Sequence, residues 1–365
     1  MYLFTFLLLF GVAFYEINRE KDIKYKPFLI ILVGWLIIHD GLRWGIGTDW
    51  TPYYKFFQSF LQSGEYQYFE VGYTFLNKLV YFYTDNYSVF LVLHAIIVYG
   101  LIAISIYKYS VNPLVTLFIF YCLMLSYLGM NRQYIALAIC IFSFQFIFNK
   151  KIIPFILCIA TAFLFHRSSL IFLPAYFLHR VISPKIIIYT LVVALGISAS
   201  NIINHIPSGF FYLFGHTIGQ RMEGYYGIGE NVFIYSLLGT LKRCFWIFFA
   251  LIFSKWIKNK DEYYHFFLNL YFLGAILYVI FNNTILQVIV GRGLIYFNIG
   301  EIFLIPYLLS IFRQRRIALC LVAVYCAIII EKGFNTYKEK LGVDIFRPYN
   351  SALINNKYES KEKPQ

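Results

Sequence analysis

Long apolar runs follow one another along the chain with only short polar breaks between them. They occupy residues 2–15, 27–39, 88–106, 112–130, 133–148, 152–165, 168–179, 185–200, 232–254, 263–285, 294–312 and 317–330. A helix that crosses the hydrocarbon core of a bilayer needs roughly 20 apolar residues. The shorter runs draw on neighbouring aromatic residues that suit the membrane interface. The pattern predicts an all-α fold: a polytopic integral membrane bundle of about twelve transmembrane helices, with long loops on one side. Met1 to Tyr15 lacks a basic leading region and a small-residue cleavage site, so it reads as a retained first span. One membrane domain is expected over residues 1–354, followed by a polar, disordered tail over 355–365.

Composition strengthens this reading. Of 365 residues, 60% are hydrophobic and only 13% charged, against roughly 25% charged in a soluble domain, which excludes a water-soluble fold. The six cysteines (Cys122, Cys140, Cys158, Cys244, Cys320 and Cys326) lie inside apolar runs, without metal-ligand spacing. The net charge of +13 could point to nucleic acid, but the basic residues are scattered between spans instead of forming a stripe. Alternate connections carry them: Arg19, Lys21, Lys24 and Lys26; Lys108; Lys150 and Lys151; Arg180 and Lys185; Lys255, Lys258 and Lys260; Arg313, Arg315 and Arg316. By the positive-inside rule these face the cytoplasm. The N-terminus and loops 40–87, 130–132, 166–167, 201–231 and 286–293 then face outward. Lys332, Lys338, Lys340 and Arg347 would be external too, against the rule. The aromatic loop 40–87, with its amphipathic run Tyr66 to Tyr83, is expected to hold short interfacial or re-entrant helices.

Each outward connection carries an arginine at a membrane boundary: Arg43, Arg132, Arg167, Arg221 and Arg292. A single arginine at such a place commonly snorkels or caps a helix. Five together invert the usual charge bias, and a charged residue at a helix centre costs on the order of 2.5–3.5 kcal/mol, so such residues tend to face a cavity and bind something. The planar guanidinium fork suits phosphate oxygens, which makes a lipid-linked diphosphate a natural ligand. Around Arg43 the segment Gly41-Leu-Arg-Trp-Gly-Ile-Gly-Thr-Asp-Trp-Thr-Pro-Tyr-Tyr54 combines three glycines, including Gly47, with the carboxylate of Asp49. Glycine permits close backbone approach. The spacing is not that of a nucleotide phosphate loop. A second cluster is Gly129-Met-Asn-Arg-Gln-Tyr-Ile-Ala136, with Arg132 and Gln133, and a third is Phe165-His-Arg-Ser-Ser-Leu170. Asp49 and His166 are the leading titratable candidates for a general base, ahead of Glu70 and Glu223. Asp49 has a structural alternative, pairing with Arg43, and Ser168 and Ser169 read as helix caps. No acidic pair or His/Cys/carboxylate cluster marks a metal site, and no cofactor is indicated.

These segments, together with Gly291-Arg-Gly, resemble the EpsG family of Wzy-like polysaccharide polymerases, from the first span to about Pro348-Tyr349. The first segment departs from the family pattern at Trp50, where tyrosine is more usual. The resemblance implies a GT-C-like bundle in the bacterial inner membrane that joins oligosaccharide repeats carried on undecaprenyl diphosphate at the outer face. It also implies membrane lipid, a flippase and a chain-length regulator as partners, and no nucleic acid. In that reading Arg132 stabilises the leaving diphosphate and Asp49 or His166 activates the acceptor hydroxyl. Arg43, Gly47, Tyr53, Gln133, Arg167, Arg221 and Arg292 contact substrate. A flippase or transporter of lipid-linked saccharide, a glycan ligase and an acyltransferase are the competing readings.

Overall fold

The computed structural model describes residues 1–17, 25–61, 69–207, 212, 233–257 and 260–354. The described residues are helical, apart from loops and one isolated bridge between Arg43 and Ser351. The helices are α1 (Tyr2–Glu16), α2 (Tyr25–Gly41), α3 (Trp50–Gln58), α4 (Val71–Tyr83), α5 (Tyr87–Tyr109), α6 (Pro113–Met124), α7 (Asn131–Phe142), α8 (Phe144–Phe148) and α9 (Ile152–Phe163). There follow α10 (Pro184–Ala199), α11 (Phe233–Ile252), α12 (Glu262–Phe281), α13 (Leu294–Leu309) and α14 (Arg315–Leu341).

Among the described residues five helical stretches are long and apolar enough to cross a membrane: Tyr87–Tyr109, Asn131–Phe148, Glu262–Phe281, Ile289–Leu309 and Arg315–Leu341. Their outer faces suit lipid. Along α14, Leu321, Val324 and Ile328 are each more than half exposed at helical spacing, an arrangement that a water-facing helix does not tolerate. By contrast, every residue of α6 is buried, as expected of a helix apolar all round at the centre of a bundle. The protein is therefore a multi-pass helical membrane protein.

The helices gather into two compact units, Met1–Leu173 with Phe312–Gln365, and Pro174–Ile311; the single domain expected over 1–354 contains both. In the first unit α2 packs on α5, α5 on α7, α1 on α6, α7 on α9, and α14 on α6. In the second, α12 is the hub for α10, α11 and α13. Several helix starts are set by side chains. Asn86 accepts from the Ser88 amide at α5 (2.9 Å), and Asp261 from the Tyr264 amide at α12 (2.9 Å). The Glu16 carboxylate, at the end of α1, accepts the Leu114 and Val115 amides of α6, each at 2.9 Å. These amides lack carbonyl partners within their own helix.

Two expected spans take a different form from the one the apolar pattern predicts. The run 168–179 lies in 3₁₀ turns over Arg167–His179. Pro174, inside it, has no amide hydrogen to donate and its ring crowds the preceding turn. The rise of about 2 Å per residue in this geometry lets a short segment reach far. The last helix, α14, runs well beyond the expected 317–330, to a left-handed Gly342 (φ 71°) that closes it. Loop 40–87 holds α3 and α4. Most of loop 201–231, with Arg221 and Glu223, lies outside the described residues, as do Tyr66, Tyr68 and the tail 355–365.

Candidate functional site

One end of the first unit collects the sequence segments singled out above. Two glycines draw them together. Gly47 (φ 112°) and Gly129 (φ 103°) cross backbone to backbone; a Cβ on Gly47 would stand 2.6 Å from the Leu128 carbonyl oxygen and 2.8 Å from the Gly129 Cα. Both the positive φ and the contact demand glycine. The Thr48 amide donates to the Leu128 carbonyl (3.0 Å), fixing the crossing. The C-terminal segment laces onto the same loop, with the Gly47 amide donating to Ile345 (3.2 Å), Trp44 to Asn350 (3.0 Å), and Ala352 to Leu42 (2.9 Å). The Tyr349 hydroxyl donates to the His39 carbonyl (2.6 Å) and that of Tyr2 to Phe346 (3.0 Å). Residues 345–352 therefore share an end with the first motif.

Arg43 is sealed beneath this crossing. Its side chain is buried and pairs with the Asp40 carboxylate, one helical turn back, and donates to the Asp40 carbonyl (2.8 Å). Its other terminal nitrogen donates to Asn131 Oδ1 (2.6 Å). Asn131 in turn donates to the Tyr87 hydroxyl (3.3 Å), and its carbonyl meets His94 Nε2 (3.0 Å). Arg43 thus ties α2, α5 and α7 together, and its carboxylate partner is Asp40, not Asp49. Gln133, also buried, sits two residues further along α7.

Arg132 turns the other way, into a partly open site. Its Nη1 pairs with Glu70 Oε2 at 2.5 Å, and its Nε donates to the Tyr53 hydroxyl at 3.0 Å. The guanidinium lies 4.3 Å from the Phe69 ring centre. Among the described residues its Nη2 makes no hydrogen bond, and the side chain is 20% exposed. A planar cation is thereby aimed, held on two sides and left with donor capacity. Burial works against the charge of Glu70, but the Arg132 guanidinium, aided by His166, outweighs it and holds the carboxyl below the usual glutamate range.

Glu70 stands next to the arginine because α4 docks on the end of α9. The Gly72 amide donates to the Leu164 carbonyl (2.8 Å), and a Cβ at residue 72 would lie 2.9 Å from that oxygen. Two residues beyond Leu164, His166 Nδ1 lies 2.6 Å from Ser168 Oγ and 3.4 Å from the Ser168 amide nitrogen. Arg167 beside it is exposed. Asp49 is half-buried ahead of α3, and its carbonyl accepts the Tyr53 amide (3.3 Å). The structure thus gathers Arg132, Tyr53, Glu70 and His166, and sets Arg43 and Gly47 in the scaffold below. Glu70 was the weaker sequence candidate; what raises it is a docking contact between distant segments that no local motif encodes.

Arg292 belongs to the second unit, exposed in a π-turn over Ile289–Gly293 ahead of α13. The same unit buries charge within its helices: Lys242 Nζ lies 3.0 Å from Glu301 Oε2, and the Arg243 guanidinium lies 3.8 Å from the Tyr278 ring centre. Among the described residues no group of three His, Cys, Asp or Glu is placed to hold a metal ion.

No curated protein and no solved structure matches the chain. The family model described as the EpsG family matches residues 2–351, nearly the whole length, and so takes in every segment gathered at this end of the first unit; the chain belongs to the EpsG family.

Proposed function

We propose that the protein is a glycosyltransferase that polymerises lipid-linked oligosaccharide repeats. Its family links it to polysaccharide synthesis. The observation that carries the finer reading is Arg132: a guanidinium fixed by Glu70 and Tyr53, partly open, with one terminal nitrogen still able to donate. In the reaction the acceptor hydroxyl oxygen forms a bond to the donor's anomeric carbon, and the bond from that carbon to the diphosphate oxygen breaks. The hydroxyl proton passes to a base, and the electron pair leaves with the lipid diphosphate. Arg132 stabilises the charge that develops on that leaving group. His166, beside the Glu70–Arg132 pair, takes the proton; Asp49, one helical turn before Tyr53, is the second base at this end. Arg167, Arg292 and Arg221 are further arginines for lipid-diphosphate binding, while Arg43 and Gly47 hold the loop and Gln133 supports the Arg132 turn.

The chain is read as crossing the membrane about twelve times, with shorter apolar helices completing the five long ones. In the first unit Lys26, Lys108, Lys150, Lys151 and Arg315 all fall at the helix ends opposite the Arg132 site. The positive-inside rule then turns that site to the outer face of a bacterial inner membrane. The substrate in this reading is an undecaprenyl-diphosphate-linked oligosaccharide, with a flippase and a chain-length regulator as partners. The Lys242–Glu301 pair, whose carboxylate is buried, favours one second reading, translocation of the same lipid-linked saccharide, since charge inside spans marks transport paths.

The test is full-length protein in lipid, given the lipid-linked repeat as sole substrate. A ladder of longer lipid-linked chains is expected, and Arg132→Lys, which keeps charge but removes the fork, should slow its formation by about 10²–10³-fold. Substrate that binds without any new glycosidic bond, or that crosses the bilayer unextended, would overturn the polymerase reading.

A further inference from the structure

Beside the Arg132 site lies a cleft that the reaction above does not use. It is open to the surface, has a volume of ≈ 640 Å³, and is walled by Trp44 and Tyr54 from the first motif, Gln58 at the end of α3, and Asp85, Asn86 and Tyr87 at the start of α5. The C-terminal segment closes one side through Ala352, held by its bond to Leu42.

The aromatic rings in this wall are locked. Trp44 meets Tyr54 edge-on at 5.7 Å, Tyr87 meets Tyr54 edge-on at 5.5 Å, and Trp50 stacks parallel to Tyr54 behind them (6.4 Å, 10°). Trp44 and Tyr87 are buried, which sets them apart from the mobile aromatic belt of a membrane interface. They hold the partly exposed Tyr54 ring rigid, and a rigid aromatic ring offers flat contact area at little entropic cost. The polar wall complements them. The Asp85 carboxylate and the Gln58 amide make no hydrogen bond or ion pair among the described residues, and Asn86, whose Oδ1 caps α5, keeps its amide N–H groups. Among the described residues no lysine or arginine lines the cleft, which sets it apart from the charged site at Arg132. The partly exposed Tyr54 ring beside amide donors and a carboxylate acceptor matches a polyhydroxylated ring, whose C–H face lies on the aromatic ring while its hydroxyls reach amide and carboxylate groups.

The cleft and the charged site share α3. Successive helical residues point about 100° apart; Tyr53 bonds Arg132, and Tyr54 faces the cleft. We infer that the cleft is a saccharide subsite that takes the uncharged glycan of the substrate, with α3 separating it from the diphosphate at Arg132. This inference rests on the proposed handling of lipid-linked glycan at this end of the molecule.

The experiment uses full-length protein in nanodiscs and two probes: the repeat-unit oligosaccharide released from the host's own polysaccharide, free of lipid and phosphate, and inorganic diphosphate. Saturation-transfer NMR reads the first and calorimetry the second. Asp85→Ala and Gln58→Ala, both at the protein surface, should each weaken oligosaccharide binding by about tenfold, as expected for a lost hydrogen bond to a charged or amide group, and leave diphosphate binding unchanged. Arg132→Lys should do the reverse. Absence of saturable oligosaccharide binding, or binding indifferent to both cleft substitutions, overturns the subsite. If chains are polymerised and Asp85→Ala leaves KM for the lipid-linked repeat unchanged, the subsite fails while the polymerase reading stands. If the oligosaccharide binds in the cleft but no chain is ever extended, the polymerase reading fails and the subsite survives.

Discussion

Arg43 and Arg132 sit at the same end of the first unit, each against a carboxylate, and adjacent residues of α7 connect them: Asn131 bonds the first arginine and Arg132 is the second. Their surroundings nonetheless assign them opposite work. Arg43 and Asp40 are each 1% exposed, whereas Arg132 and Glu70 are 20% and 14% exposed. A fully desolvated ion pair is a commitment of the scaffold, because neither charge can be removed without stranding the other. A partly open pair holds a cation in place and still leaves it able to exchange partners. Burial, not residue type or motif membership, separates the sealed arginine from the one left open to a ligand.

The strongest way to break this comparison is to remove Arg43. Arg43→Met leaves the Asp40 carboxylate buried without its partner, and the expected loss is about 3–5 kcal/mol, read as a collapse of monodisperse protein in detergent and a large fall in the thermal midpoint. Replacing both residues, Asp40→Leu with Arg43→Met, should recover much of it, since an apolar pair avoids the stranded charge. A stable Arg43→Met protein that binds diphosphate poorly would instead make the two arginines functional equals.

Next in size is the glycine crossing that carries both. Gly129→Ala would force a side chain into a left-handed backbone (φ 103°) with the Gly47 carbonyl carbon 2.8 Å from the new Cβ. Strain of this kind costs about 1–3 kcal/mol, measurable as a lower thermal midpoint. Because residue 129 lies just before Asn131 and Arg132, diphosphate binding should weaken with it. An unshifted midpoint would mean that the crossing is not what holds the Arg132 turn.

The physical reasons for these roles were unequally legible in the sequence. The apolar runs marked the helices, because a membrane span must be apolar over its whole length, and the three-glycine segment marked a close approach of backbones, which Gly47 and Gly129 make. The partner of that approach lies about 80 residues away, and Leu164, on which Gly72 docks to bring Glu70 to Arg132, lies about 90 residues from it; contacts of this kind are properties of the packed bundle. Asp40 was concealed by its place at the end of an apolar run, where its spacing of three from Arg43 is visible but its burial is not. Pro174 carried its signal openly, since a proline within a short apolar run interferes with an α-helix.

The smallest effect tests the open half of the comparison. Because the folded environment holds the Glu70 carboxyl below its ordinary range, the Glu70–Arg132 pair contributes stability that is present above the ordinary glutamate pKa and is lost as pH falls through the lower folded value. For a partly exposed pair the contribution is about 1 kcal/mol or less. Glu70→Gln should therefore lower the thermal midpoint slightly at neutral pH, and the difference from the parent protein should vanish in acid. Added salt should shrink the same difference, since mobile ions screen a partly solvated pair, while leaving the deficit of Arg43→Met almost intact, since solvent does not reach that guanidinium. Equal salt sensitivity for the two variants would contradict the division between a sealed and an open arginine, because both pairs would then have to be in contact with water.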